Sequence, residues 1–375
     1  MNAISPVALF LAALLLTQPS YPAVSIQLVR GRCVGCKHSY QLGRLQFVTP
    51  VEGWATGIQI FENKFHVSQY SGVLHTSNAG KTWTPVAGVE TYGVGVEPAF
   101  WFINAREGWI GWPTASEPLE HLRRTTNGGR GWTKLQVETG GMWVHLRFLD
   151  PHLGYAALST LDGPQFGITR DGGHTWRFRS EPTLARLAYP DRLLFLNPRD
   201  GWIGGGTTAT DLGIYPRLVR TVDGGGTWEE ASFPPNVKGN PLDLFFLDPD
   251  HGWLVLWNGF VGPKSPRFDP STLLRTTDGG RTWSEELGWA PQGRTSYLRS
   301  VRYLSDKVGL LFVETVRKDD AGAVGKGDFT VLATFDGGHT WSRHELPGPV
   351  GSCEVVAGEV WCSSGMDILR VHVQP

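Results

Sequence analysis

The chain has 375 residues, and its 34 Lys and Arg nearly balance 35 Asp and Glu, so its formal net charge is −1. This balance argues against a general nucleic-acid binder, which carries a basic excess. The 41% hydrophobic and 11% aromatic residues exclude a disordered chain. Many turn signals and few helix-forming runs favour an all-β protein.

The amino terminus carries a ten-residue apolar run, Val7–Leu16, followed by small residues. This run is too short to span a bilayer, which takes about 20 residues. It predicts a signal peptide over residues 1–25, cleaved after Ala23 or Ser25, although Met1–Pro6 contains no Lys or Arg. A buried strand is the alternative. We therefore expect an exported protein without a transmembrane segment, located in the periplasm, outside the cell, or in the thylakoid lumen of a photosynthetic host.

An eight-residue motif, called the box below, occurs six times in the form T-x-[DN]-[GA]-G-x-[TG]-W, with tryptophans 44 to 58 residues apart. A second motif precedes each box: an aromatic residue, a short turn, and Gly followed by Trp, Tyr or Leu. The aromatic residues are Phe47, Phe102, Phe148, Phe195, Phe246 and Tyr303. The box carboxylates or amides are Asn78, Asn127, Asp171, Asp223, Asp278 and Asp336, and the tryptophans are Trp83, Trp132, Trp176, Trp228, Trp283 and Trp341.

Each repeat is consistent with four short strands, and the third repeat shows them most clearly. Its strands are predicted at His145–Asp150, Tyr155–Ser159, Phe166–Arg170 and Thr175–Arg179. Repeats of this length with four strands are typical of a β-propeller, in which each blade buries its faces against its neighbours.

The carboxyl-terminal segment predicts three further strands, at Ser352–Ala357, Val360–Ser364 and Ile368–Val373. A fourth strand is missing there, and Ile26–Arg30 is a strand without a repeat. We therefore predict that residues 26–30 close the last blade as its outer strand. The result is one domain over residues 26–375, a seven-bladed propeller of four-stranded antiparallel blades, with six blades as the alternative.

The box predicts a turn whose Asp or Asn accepts backbone hydrogen bonds while the glycines supply positive φ. Six copies cannot all be one active site, so we interpret the boxes as structural. Each offers one carboxylate at most, which is too few for calcium. We expect no metal and no cofactor.

The two motifs resemble those of the BNR or Asp-box propellers, which include sialidases, sortilin-like receptors and the photosystem II assembly/stability factors. The last family fits best: its repeat resembles F-x-[DN]-x-x-x-G-W-x-x-G followed by L-x-[RT]-T-x-D-G-G-x-T-W, and Phe195–Gly205 with Leu218–Trp228 nearly matches it. The resemblance covers roughly residues 40–345. It implies an exported seven-bladed propeller that binds protein, without catalysis, during assembly or repair of a membrane protein complex.

Polar residues recur just before the aromatic residue of each predicted first strand, near the mouth of the central channel. Because guanidinium groups suit carboxylates, we predict that these residues bind an acidic segment of a partner. The alternative is that each arginine is paired within the structure. The predicted binding residues are Arg44, His145, Arg147, Arg192, Arg299 and Arg302, with Gln46 and Asp243 beside them.

Loops on the same face are a second candidate for binding, because long loops on a rigid scaffold commonly carry function. The long ones are Gly205–Arg217, Trp257–Ser271 and Glu314–Asp328. A sialidase-like glycan binder or hydrolase is the alternative function, and hydrolysis would need two nearby carboxylates. Candidates are Asp211, Asp243, Asp269 and Glu314.

The four cysteines suggest disulfides in an exported protein. Cys353 and Cys362 flank a two-residue turn symmetrically, which makes them directly opposed on neighbouring strands. Cys33 and Cys36 then pair locally, and a four-cysteine zinc site is the alternative. The sequence thus predicts a monomeric, non-enzymatic propeller whose partner is a membrane-associated protein and not a nucleic acid.

Overall fold

The computed structural model describes residues 23–36, 40–62, 67–87, 91–92, 97–111, 122–137, 141–207, 214–257, 271–287, 295–316 and 327–374. These ranges contain thirty strands and one turn of 3₁₀ helix, Leu184–Arg186. No helix within them is long and apolar enough to cross a membrane. The predicted signal peptide lies outside them, except that residues 23–25 begin the first strand.

The strands form seven blades in chain order. Two strands precede the first blade: β1 (Ala23–Val29) and β2 (Arg32–Cys33). Blades 1 and 2 contain β3 (Gln41–Phe47), β4 (Gly53–Glu62), β5 (Val67–Thr76), β6 (Thr82–Pro85) and β7 (Thr91–Tyr92), then β8 (Ala99–Phe102), β9 (Gly108–Gly111), β10 (Leu122–Thr125) and β11 (Thr133–Leu135). Blades 3 and 4 contain β12 (Met142–Phe148), β13 (Gly154–Thr160), β14 (Gly163–Thr169) and β15 (Arg177–Arg179), then β16 (Arg192–Phe195), β17 (Gly201–Gly206), β18 (Pro216–Thr221) and β19 (Glu229–Glu230).

The remaining three blades follow the same pattern. Blade 5 contains β20 (Asn240–Phe246), β21 (Gly252–Trp257), β22 (Thr272–Thr276) and β23 (Ser284–Leu287). Blade 6 contains β24 (Thr295–Tyr303), β25 (Gly309–Val316), β26 (Asp328–Thr334) and β27 (Ser342–Glu345). Blade 7 contains β28 (Cys353–Val356), β29 (Glu359–Ser364) and β30 (Asp367–Gln374).

The seven-bladed fold is confirmed. Each blade is built on four antiparallel strands, and β2 and β7 add to blade 1. Strand β1 pairs with β30 from Ala23↔Gln374 to Val29↔Ile368 and completes blade 7 from the other end of the chain. The strand predicted from the sequence begins at Ile26, three residues after the observed start at Ala23. In blade 3 the fourth strand begins at Arg177 rather than Thr175, because the box turn extends further than predicted.

Aromatic stacking joins neighbouring blades and explains the second motif. The aromatic residue that follows the motif's glycine lies flat on the first-strand aromatic residue of the next blade, with ring centroids 3.6–3.7 Å apart. The pairs are Trp54–Phe102, Trp109–Phe148, Tyr155–Phe195, Trp202–Phe246 and Trp253–Tyr303. Phe47 closes the ring against Trp361 of blade 7, edge to face at 4.9 Å. Five box tryptophans pack edge-on against the same set of rings.

The six boxes share one hydrogen-bond pattern. The box threonine is buried in all six repeats, where its hydroxyl accepts the N–H of the glycine at the fifth box position and donates to the Asp or Asn. That Asp or Asn accepts a backbone N–H four residues further on, in each box. The threonine hydroxyl is therefore the buried acceptor of the turn, whereas the Asp or Asn accepts from that hydroxyl and from a backbone N–H nearer the surface.

Hydrogen bonds also set the ionisation of the box carboxylates. Burial tends to raise the pKa of Asp171, Asp223 and Asp278, but hydrogen bonds from the flanking threonines outweigh it and lower each pKa to about 2. Bonds from Thr340 lower the pKa of Asp336 to about 2 as well. Because the folded pKa is below the unfolded value near 3.9, this stabilisation is present above pH 4 and is lost as the pH falls towards 2.

We expect Thr276→Val to lower the free energy of unfolding by about 1–3 kcal/mol, because it leaves the buried Gly280 N–H without an acceptor. We expect Asp278→Ala to cost less, about 0.5–1.5 kcal/mol, since its Thr282 donors are exposed and can bond to water, so that of its donors only the Thr276 hydroxyl lies away from solvent. Asp278→Asn is the control and should be nearly neutral, because Asn78 and Asn127 make the same backbone contact. Urea unfolding measures all three, and a larger loss for Asp278→Ala than for Thr276→Val contradicts this assignment.

Two disulfides lie at the junction of the chain ends. Cys353 and Cys362 are opposed on β28 and β29, with Cα atoms 4.0 Å apart, and they are buried between blades 6 and 7. Ala357 and Gly358 form the two-residue turn, both at positive φ. Cys33 pairs with Cys36 beside the outer strand of blade 1.

Candidate binding cavity

The six predicted binding residues line one cavity of about 430 Å³ at the inner edges of the blades. Asp243 and Ser300 also line it, and Glu97, Trp101, Leu193 and Leu242 contribute further polar and apolar wall. Side chains from blades 1, 3, 4 and 6, up to 258 residues apart in the sequence (44 to 302), therefore meet in this cavity.

Irregular pairing of the innermost strands contributes to this arrangement. The register shifts near the same position in four blades, where an extra residue on the innermost strand forms a β-bulge. The shifts lie between Leu42 and Leu45, Trp143 and His145, Pro241 and Asp243, and Leu298 and Ser300. Bulges commonly re-aim side chains at functional sites. Here they adjoin Arg44, His145, Asp243 and Arg299, which all line the cavity.

Side chains alternate along each innermost strand, so residues at equivalent positions of successive blades form rows around the ring, two of which are described here. The first row consists of the residues three positions before the first aromatic residue of the second motif in each blade: Arg44, Ala99, His145, Arg192, Asp243 and Ser300. The second row lies one residue before that aromatic residue and comprises Gln46, Trp101, Arg147, Leu194, Phe245 and Arg302. Glu354 extends the second row into blade 7, because it pairs with Trp361 as Gln46 pairs with Trp54.

Second-row side chains connect each blade to the next. Gln46 donates to the Phe102 carbonyl at 2.7 Å and accepts the Phe102 N–H at 2.8 Å. Arg147 Nε donates to the Phe195 carbonyl at 3.1 Å, and Arg302 Nε donates to the Cys353 carbonyl at 3.0 Å. Glu354 accepts the Phe47 N–H at 3.2 Å across the closure of the ring. These residues therefore stabilise the ring as well as lining or approaching its centre.

Two of the predicted arginines are already paired. Arg302 contacts Asp243 Oδ2 at 2.6 Å, and both side chains are at least 85% buried. Asp243 also accepts the Ser300 hydroxyl and the Val301 N–H, so it is well satisfied. Arg299 forms an ion pair with Glu314 and is more exposed. The alternative interpretation of the arginines, internal pairing, therefore applies to Arg299 and Arg302.

Three other arginines are different. Among the residues that the structure describes, no carboxylate lies within ion-pair distance of Arg44, Arg147 or Arg192. Burial lowers the pKa of all three, that of Arg147 to about 10. A guanidinium group keeps its proton in proteins, so each carries a positive charge. The Cζ of Arg147 lies over the Trp101 ring, 4.1 Å from its centroid, within the range of a cation–π interaction. Glu97 acts electrostatically on Arg44, and Asp243 and Asp191 act on Arg192, without forming an ion pair. Arg44, Arg147 and Arg192 all line the cavity and are called the arginine triad below.

His145 contributes shape rather than charge. Its Nε2 lies 2.7 Å from the Asp191 carbonyl oxygen, so this nitrogen carries the proton and donates it. Burial, with the cationic Arg44 and Arg192 nearby, lowers the pKa of His145 well below its ordinary value. The imidazole is therefore neutral. Burial also raises the pKa of the neighbouring Asp191 to about 6.

Sequence reasoning missed Trp101 and Glu97, which line the cavity, and Glu354, which occupies the second row without lining it. Trp101 occupies a second-row position, but an aromatic residue at that position of a sequence indicates a hydrophobic core residue rather than a binding residue. Glu97 precedes its strand and accepts the Thr56 hydroxyl at 2.8 Å, while Thr56 accepts the Arg44 N–H. Glu354 lies in blade 7, where no aromatic residue marks the row. Glu354 is identified by its pairing with Trp361 on the neighbouring strand, which matches the pairing of Gln46 with Trp54, and not by its distance from an aromatic motif.

The carboxylates proposed for glycan hydrolysis do not form an evident pair. Asp243 and Glu314 are each bound to an arginine, and Asp211 and Asp269 lie outside the described residues. Most of the three long loops also lies outside them. Within the described ranges, no group of three or more His, Cys, Asp or Glu side chains is arranged to hold a metal ion.

Comparison with known proteins gives the fold. No protein-family model and no curated protein matches the chain. A solved structure of YCF48 bound to D1 peptide is similar, with a TM-score of 0.60 and 15% identity over 94% of this chain and 97% of that one. YCF48 from Cyanidioschyzon merolae has a TM-score of 0.57 and 17% identity, over 92% and 98% of the two chains. A GH74 enzyme from Niastella koreensis gives 0.48 and 13% identity, over 86% of this chain and 64% of that one. The chain is thus a seven-bladed propeller similar in fold to YCF48.

Proposed function

We propose that this protein is a non-enzymatic propeller that binds an acidic segment of another protein in its central cavity. The observation that carries the proposal is the arginine triad: three partly buried guanidinium groups without an ion-paired carboxylate among the described residues. Clustered like charges are unfavourable unless something neutralises them. A carboxylate ligand supplies that charge in the forked geometry that arginine favours.

The shape of the cavity favours a peptide over a single small anion. Its volume of about 430 Å³ exceeds what one carboxylate fills. Trp101, Leu193 and Leu242 form apolar wall beside the charged groups, so an acidic residue flanked by apolar residues fits it. The structural neighbour solved with a D1 peptide supports peptide binding by such a propeller. By the sequence resemblance, we further propose an exported monomer with a membrane-associated partner.

Binding of a defined probe tests this proposal. We expect a fluorescein-labelled Leu-Asp repeat decapeptide to bind, and the matching Leu-Asn peptide to bind far less, in a fluorescence anisotropy titration at low salt. Arg44→Gln with Arg192→Gln should weaken binding about 100-fold, because each charge-assisted hydrogen bond contributes about 1.5 kcal/mol or more. The loss should shrink in high salt as charges are screened.

The matched control removes two arginines elsewhere. Arg170 and Arg177 are exposed at the outer edge of blade 3, so Arg170→Gln with Arg177→Gln makes the same change in net charge. We expect this control to bind the probe within about twofold of the unchanged protein, because screened charges at this distance contribute little. Equal binding by both double variants, each shown to be folded by its melting curve, places the peptide site outside the cavity.

A further inference from the structure

We propose that Glu354 makes ligand capture by the arginine triad dependent on pH, with the protonated side chain opening the cavity to acidic ligands and the ionised one competing with them. This inference rests on the proposed function for its ligand and on the geometry of Glu354 for its mechanism. It concerns how the site is regulated, which the arginines alone do not determine.

The position of Glu354 gives it a neutral counterpart in the same ring. Gln46 occupies the equivalent second-row position one blade further on, and its amide both donates to and accepts from the Phe102 backbone. Glu354 makes only the accepting bond, to the Phe47 N–H, among its described contacts. A protonated carboxyl group has the donor and acceptor of an amide. The acid form of Glu354 therefore suits the position as glutamine does.

The surroundings of Glu354 connect its charge to the ligand site. Arg302 of blade 6, Arg147 of blade 3 and Arg44 of blade 1 all act on it electrostatically. None of them is within ion-pair distance among the described contacts, so the carboxylate is near the arginines without being bound to one. Asp243 is held by Arg302, while Arg192, the neutral His145 and Glu97 complete the charged and titratable wall.

Burial sets the pH at which the Glu354 carboxyl group becomes charged. Protein surrounds the Glu354 carboxyl group, although part of the residue is accessible, and desolvation raises its pKa to about 7 against the opposing pull of the Phe47 N–H and the arginines. The group is thus neutral below pH 7 and negative above it. Asp191, with a pKa raised to about 6, changes charge at a lower pH. One negative charge at a distance of about 10 Å, in an effective dielectric near 20, changes the affinity for an anion about tenfold.

The first test measures the Leu-Asp probe between pH 6.5 and 8.5, where Asp side chains of the probe stay ionised. We expect the unchanged protein to bind about fivefold more tightly at pH 6.5 than at pH 8.5. Glu354→Gln should bind tightly at both values, within twofold. Glu345→Gln, an equal charge change on the exposed outer strand of blade 6, should keep the pH dependence of the unchanged protein. The same pH dependence in Glu354→Gln overturns the proposal.

A second measurement needs no ligand and separates this inference from the proposed function. Because the folded pKa of Glu354 is above its ordinary value of 4.5, the cost of its charge to folding grows as the pH rises from 4.5 to about 7 and is complete above 7. Glu354→Gln should therefore melt at a higher temperature than the unchanged protein at pH 8.5 and close to it at pH 4.5. Identical pH profiles of the two proteins overturn the inference even if the probe binds at neither pH. A shifted profile without probe binding supports the titration and contradicts the proposed function.

Discussion

Arg302→Met is expected to destabilise the propeller by about 3–5 kcal/mol, because it leaves Asp243 as a buried, uncompensated charge. It also removes the donor to the Cys353 carbonyl, which connects blade 6 to blade 7. Methionine keeps the apolar volume of the arginine stem and loses only the guanidinium group, whose Cζ lies 5.5 Å from the Phe245 ring centroid, so the loss is mainly electrostatic. Guanidinium chloride unfolding at pH 8 measures the change.

Two further variants identify the cause. Arg299→Met breaks the ion pair next to it on the same strand, but Arg299 is about one-third exposed, so we expect a loss of about 1 kcal/mol or less. Adding Asp243→Asn to Arg302→Met should recover about half of the stability, since asparagine still accepts from Ser300 and Val301 without a buried charge. Additive losses in the double variant contradict a direct Arg302–Asp243 interaction.

The blades and the cavity residues are predictable from the sequence for one physical reason. Each blade repeats the same stacking contact, so the Phe195–Trp202 pattern recurs at a fixed place relative to the innermost strand. Counting back from that aromatic residue then gives the face of the strand that lines the channel, because side chains alternate with a period of two. Arg44, His145 and Arg192 follow directly from this count.

The distinction between bound and free arginines is not predictable in this way. Arg302 and Arg147 occupy equivalent second-row positions, yet only Arg302 has an ion-paired carboxylate, and the partner Asp243 comes from another blade. The same limit applies to Glu354, whose blade lacks the marker aromatic residue. Sequence spacing fixes the row of a residue, whereas pairing across blades depends on which residues the neighbouring rows contain. The proposed ligand site is therefore the arginine triad, whose members lack an ion-paired carboxylate among the described residues, and not the whole set of predicted arginines.

Removing residues 23–29 should lower the free energy of unfolding by about 5 kcal/mol, because β1 closes the ring. Strand β1 pairs along its whole length with β30 and packs Val24, Ile26, Leu28 and Val29 against the core. Partial burial of each aliphatic side chain contributes about 1.5 kcal/mol, and a compact unfolded state reduces the sum.

The comparison is between a chain that begins at residue 23 and one that begins at residue 30, each unfolded in urea. Adding a synthetic peptide of residues 23–29 should restore stability to the shorter chain, whereas the same peptide with Ile26→Asp should not, because that side chain faces the core. Equal unfolding free energies for the two chains contradict closure by β1. Blade 7 also carries Glu354 and the Cys353 carbonyl that holds Arg302. A loosened blade 7 should therefore weaken binding of the Leu-Asp probe, and the peptide of residues 23–29 should restore it, since the cavity depends on a closed ring.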